Sequence, residues 1–285
     1  MRYSAGGAKA RCSAPLLLLP ALAWTFAFFL LPLALMCWRS IASEGFSLEP
    51  YALLFTSPLY TKVMLTTVKA AAIATVGALV LAYPLAYTLT MSSRALRAFI
   101  LVLVLVPYWV DIIVRSFSWL ILLGDNGLVN KTLMALGLIQ APLALLYNPA
   151  SVLIAMVQIL LPLATIVLFG AMLRIERTLI AAATIHGAGP WQAFRTIFFP
   201  LSLPGIYGAG LLVFVLALGF YVTPALLGSP RETMIAQTIM VDATQLLDWP
   251  QASAAGSVLL LITTAIATLY NRYFSLDRLW GGADK

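Results

Sequence analysis

The amino-acid sequence predicts an all-α membrane protein of six transmembrane helices, with a helix–turn–helix lying against the membrane between the fourth and fifth. Three observations carry the prediction. Of 285 residues, 62% are hydrophobic and 9% charged, against roughly 25% charged in an average soluble domain, and the mean hydropathy is +0.98. Six apolar stretches each reach the length of about 20 residues that crosses a bilayer core about 30 Å thick. The basic residues collect on alternate connections. An ordinary soluble protein is excluded, and no room remains for a large soluble domain.

The chain opens on a polar tail, 1–14, carrying Arg2, Lys9 and Arg11, before an apolar run from Pro15 to Cys37. Ala21-Leu22-Ala23 imitates a signal-peptidase site, but the run continues through Trp24 to Met36, which favours an uncleaved first span. Further apolar stretches lie near 64–90, 98–122, 150–173, 201–222 and 252–270, and 273–285 forms a second polar tail. With both termini cytoplasmic, eleven Lys and Arg fall inside and four outside, the expected positive-inside bias. Internal segments then net +8 and external ones −2, so the overall +7 reflects topology and not a nucleic-acid footprint. Segments 123–149 and 223–250 become external. Cys12 and Cys37 would stand about 37 Å apart along a helix, far beyond disulfide reach.

Helix breakers punctuate this plan: Pro84 in the second span, Pro107 in the third, Pro162 in the fourth and Pro224 just past the fifth. They read as kinks whose freed carbonyls neighbouring helices can satisfy. Ala70, Ala74, Gly77 and Ala78 make a small-residue face in the second span that admits a close helix. No internal repeat is evident, which counts against an inverted-repeat carrier.

The longest internal connection, 173–200, holds Gly187-Ala188-Gly189-Pro190 between two helical segments. Proline suits a helix's first position and the glycines permit a tight turn. Trp191, Phe194, Ile197 and Phe198 share one face of the second short helix by the i, i+3, i+4 rule. An amphipathic helix anchored in lipid is the competing reading of that face.

Ala181-Ala182-Ala183, Gly187 and Ile197-Phe198-Phe199-Pro200 keep both spacings of a motif of ABC-importer permeases, Glu-Ala-Ala, three residues, Gly, nine residues, Ile-x-Leu-Pro. Two positions depart: Ala181 replaces the Glu and Phe199 the Leu. The resemblance extends to Tyr83-Pro84-Leu85-Ala86-Tyr87, Pro107-Tyr108-Trp109-Val110 with Arg115-Ser116-Phe117, Gly124 to Asn130, Pro190 to Arg195, and Tyr221 to Gly228. The sequence thus resembles the spermidine/putrescine-type permeases. That resemblance implies a permease domain over 15–272 whose segment 173–200 couples to an ATPase, through Ala181, Ala182, Ala183, Gly187, Gly189, Pro190, Trp191, Phe194, Ile197 and Pro200. It implies a second, distinct permease, two ATPase subunits holding ATP and Mg, an extracytoplasmic solute-binding protein, and residence in the bacterial inner membrane. This chain itself would hold no cofactor.

Several chemistries are missing. None of the five lysines follows a glycine, so no phosphate-cradling loop exists and the chain is not its own motor. His186 is the lone histidine, without a second His or Cys at ligand spacing, so no metal site is expected. A nucleophile with its base, or a zinc-binding His pair, is absent, which disfavours an intramembrane enzyme. A channel or ion-driven carrier would want filter segments or intramembrane carboxylates, and only Asp111 qualifies. Asp111 has Arg115 at i+4, and the two mark either a solute pathway or an ion pair fixing a helix end. Tyr108, Trp109 and Trp119 offer faces that attract an ammonium, or are interfacial belt aromatics. Tyr221 and Thr223 open an external segment with Asp242, where an acidic pathway wall and a solvated loop are both open. A polyamine or related organic cation is the expected cargo, with an opine, phosphonate or amino-acid-like solute as the alternative.

Overall fold

The computed structural model describes residues 14–43 and 45–274. The tails expected at 1–14 and 273–285 lie outside these, apart from Ala14, Tyr273 and Phe274. Among the described residues, six helices are long and apolar enough to cross a membrane.

The first span runs from α1 (Ala14–Thr25) through a π-helical turn (Phe26–Leu30) into α2 (Leu31–Arg39). None of its window is buried; it touches the remainder through α14 (Trp249–Phe274), where Ser257 Oγ lies 3.7 Å from Cys37 Sγ. A two-residue ladder pairs Ala42 with Phe46 and Ser43 with Gly45, and α3 (Glu49–Thr56) follows. Next comes α4 (Pro58–Met91), 34 residues and uninterrupted at Pro84.

The third expected stretch, 98–122, is not one helix. Pro107 has no N–H to continue the ladder, and α5 (Arg94–Leu105) gives way to a 3₁₀ turn (Val106–Trp109) before α6 (Ile112–Leu123) starts afresh. A short α7 (Leu128–Ala135) precedes α8 (Pro149–Met172), which carries Pro162 internally. Then come α9 (Arg177–Ile185), α10 (Pro190–Ala193), a π-helical turn (Phe194–Phe198) and α11 (Phe199–Leu218). The chain closes through α12 (Val222–Leu227), α13 (Ile235–Thr244) and α14.

The core is the triangle of α4, α8 and α11. Ala71, Ala74, Ala78, Ala82 and Ala86, three or four residues apart, are buried on α4, so the backbones approach closely and bring dispersion contacts. A Cβ placed on Gly77 would lie 2.8 Å from Val157 Cγ2, and one on Gly205 would lie 2.5 Å from Ala171 Cβ. A second cluster ties α3 and the start of α4 to α13 and α14 through Leu54, Tyr60, Val63, Ile235 and Val258.

Candidate functional site

Two regions concentrate the functional candidates. The first is the turn after α9. The N–H of Ala188 donates to the carbonyl of Ala183 at 3.0 Å and that of Gly187 to Thr184 at 3.0 Å, the two bonds of a Schellman cap. Gly187 sits at φ +83°, the left-handed region where a Cβ is penalised. Gly189 is at φ −66°, and Pro190 begins α10. The turn projects outward: Ala181, Ala182, Gly187, Gly189 and Pro190 are exposed, Ala183 is half-buried, and Trp191 is 71% exposed.

The aromatic face divides. Trp191 stacks on Phe194 at 5.5 Å, but Phe194 turns into the bundle against Tyr87 at 5.3 Å and Tyr83 at 6.3 Å. Phe198 is buried and meets Tyr87 at 5.0 Å; Ile197 is half-buried and Pro200 exposed. A π turn holds an extra residue, which shifts the phase that a regular 3.6 repeat assigns. The Tyr83 hydroxyl is hydrogen-bonded to Ser202 Oγ at 2.9 Å, and Arg177 Nη2 donates to the carbonyl of Thr90 at 2.5 Å. The end of α4 is thereby fastened to the turn-bearing segment.

The second region lies level with the middle of α8. There the third span breaks at 106–111, and α11 stops at Leu218 before α12 restarts at Val222. Both breaks border a cavity of ≈ 290 Å³ whose lining includes Tyr108, Arg115, Leu160, Leu163, Phe220 and Tyr221. Leu160 is the twelfth of the 24 residues of α8.

Asp111 does not pair with Arg115. Its exposed carboxylate caps α6, accepting from the N–H of Ile113 at 2.8 Å, as short polar side chains do at helix starts. Nε and Nη1 of Arg115 are buried without a hydrogen-bond partner among the described residues. Trp109 is 85% exposed. Trp119 is half-buried and donates from Nε1 to Gln158 Oε1 at 3.3 Å.

Thr223 and Asp242 occupy interior positions. Thr223 is fully buried and bonds with Ser116 Oγ at 3.0 Å, joining α12 to α6. Asp242 is 3% exposed and accepts from the Tyr60 hydroxyl at 3.0 Å, joining α13 to α4. Burial holds its carboxyl above the usual carboxylate range, against the opposing effect of the Tyr60 bond. The structure therefore brings Tyr108 and Tyr221 around one cavity and sets Asp242 apart from them. Local spacing relates Arg115 to Asp111 alone; its place in one cavity with Tyr221 depends on packing between distant segments. No group of three His, Cys, Asp or Glu suited to a metal occurs among the described residues.

The six-span α-helical fold thus carries a solvent-exposed Gly-x-Gly-Pro turn between α8 and α11. Residues 74–276 match the family of binding-protein-dependent transport system inner membrane components, and the chain belongs to that family. The spermidine/putrescine transport system permease protein PotB of Escherichia coli K12 is 33% identical over 82% of this chain and 84% of its own. PotB of Salmonella typhimurium LT2 is 33% identical over 82% and 81%, and the inner membrane ABC transporter permease protein YdcU of E. coli K12 27% identical over 78% and 75%. Among solved structures, a bacterial ABC transporter importing the acidic polysaccharide alginate superposes with TM-score 0.74 at 20% identity, covering 91% of this chain and 94% of that one. The MetNI methionine ABC transporter gives TM-score 0.61 at 15% identity, covering 78% and 96%. These likenesses show the fold. The protein is a multi-pass inner-membrane permease of an ABC importer, of the spermidine/putrescine type.

Proposed function

We propose that this chain forms half of the translocation pathway of an ATP-driven importer for a polyamine or related organic cation. A second, distinct permease would supply the other half, two ATPase subunits holding ATP and Mg the drive, and an external binding protein the cargo. The similarity to spermidine/putrescine permeases over most of the chain carries the cargo reading. The exposed turn at 187–190 carries the coupling reading. Docked in a cleft of the ATPase, the turn and Trp191 would ride on nucleotide-driven closure, while Phe194 and Arg177 pass that motion to α4. The bias must come from different contacts of the turn with the two ATPase states. The basic residues around both termini and the turn support a cytoplasmic side for all three.

The irregular backbone at 106–111 supports a pathway along that face. At membrane depth such backbone, with the exposed Asp111 and Trp109, requires cover by protein or an aqueous cavity. The test is uptake by the complex reconstituted with its binding protein. ATP-dependent uptake of labelled putrescine or spermidine is expected. Uptake of an opine, phosphonate or amino acid in its place would overturn the cargo, and ATP-independent flux would overturn the drive.

A further inference from the structure

A pathway that accepts an organic ammonium is by the same chemistry hospitable to potassium and hydronium. An importer with such a pathway needs something that opposes small cations while it rests. The cavity beside α8 holds a group suited to that task. Its charged lining residue is Arg115, whose Nε and Nη1 reach no acceptor among the described residues. The neighbouring acid, Asp111, attracts the guanidinium electrostatically but forms no ion pair with it; its carboxylate is exposed and engaged at the start of α6. The remaining walls are apolar or phenolic: Leu160, Leu163, Phe220, Tyr108 and Tyr221.

A guanidinium within a membrane-spanning helix is expensive and usually functional. Here it stands where the third span restarts and beside the break between α11 and α12, so that movement of α6 against α12 would displace it. Fixed positive charge lining a pore is an established physical means of excluding cations.

We propose that Arg115 is an electrostatic barrier that keeps the resting permease tight to protons and monovalent cations, so that positive charge crosses only when ATP-driven rearrangement moves α6. The proposal rests on the assignment of this chain as a cation-importing permease.

The test uses the assembled transporter in liposomes, loaded with a pH-sensitive dye under a potassium gradient and with ATP absent. Arg115→Gln should raise proton and potassium leak at least about fivefold, the scale of a single charge about 4 Å away even at water's dielectric constant. Arg115→Lys, which keeps the charge, should leave the vesicles tight. A tight Arg115→Gln complex of normal composition would overturn the proposal. So would failure of Arg115→Gln to assemble while Arg115→Lys assembles, since that outcome makes the charge structural. Absence of ATP-driven polyamine uptake by the wild-type complex would instead defeat the cargo reading, and the leak comparison would still report on the barrier.

Discussion

Replacing Gly187 tests whether the conformation of the turn, and not merely its sequence, serves coupling. The residue is at φ +83°, and a Cβ there would meet nothing within 4 Å. Steric clash is therefore absent, and the cost of Gly187→Ala is conformational, about 1–2 kcal/mol for an L-residue in the left-handed region. That shifts the balance between capped and uncapped turns by roughly 5- to 30-fold, since about 1.4 kcal/mol is tenfold. Gly187→Val should cost more, because a β-branched residue is a genuine outlier there. Gly189 provides the control: it also has open space, but at φ −66°, so Gly189→Ala should be nearly neutral. The assay is binding-protein-stimulated ATP hydrolysis in liposomes, with assembly checked by co-purification. Stimulation should fall in the order wild type and Gly189→Ala, then Gly187→Ala, then Gly187→Val, with the complex intact. Equal effects at 187 and 189, or full stimulation with Gly187→Val, would refute the reasoning.

Four further expectations follow from other contacts. Gly205→Ala places a methyl 2.5 Å from the fixed Cβ of Ala171, so α8 and α11 must separate at a cost of about 1–3 kcal/mol, read as lower thermal stability in detergent. At Asp242 the raised carboxyl favours the folded state while protonated and loses that contribution as pH rises through its folded-state value; Asp242→Asn, which still accepts from Tyr60, should gain stability relative to wild type as pH rises from the acidic range, and a gap moving the other way would contradict this. Ala181 is exposed, so Ala181→Glu should fit without clash and preserve or tighten ATPase association in pull-downs; loss of assembly would indicate an apolar receiving pocket. With Cys12 and Cys37 replaced, cysteines at the exposed positions Lys131 and Ala181 should react with impermeant reagent from opposite sides, and labelling of both from outside would reverse the topology.

The spans were legible because the bilayer imposes length and apolarity on every crossing segment, a signal carried by each stretch alone. The turn was legible because Gly187 and Pro190 are local necessities of ending one helix and starting another. The break in the third span was half legible: Pro107 marked the place, but apolar residues on both sides continue the run, and hydropathy does not register a lost ladder. The inward turn of Phe194 was hidden because the sequence shows no sign of the π turn that rotates it. The cavity was not legible, since it joins Arg115 to Tyr221 and to the middle of α8 across more than a hundred positions. For the same reason local pattern does not reveal that Asp242 meets Tyr60, 182 residues away.

The central claim is that this chain works as a permease driven by separate ATPase subunits. Purification of the tagged full-length chain from its native membrane in mild detergent, with bound subunits identified by mass spectrometry and ATP hydrolysis measured on the eluate, tests it most directly. A second permease and an ATPase pair should co-elute, with hydrolysis that rises when loaded binding protein is added. Elution of the chain by itself, with solute flux in liposomes that needs no ATP, would contradict the account.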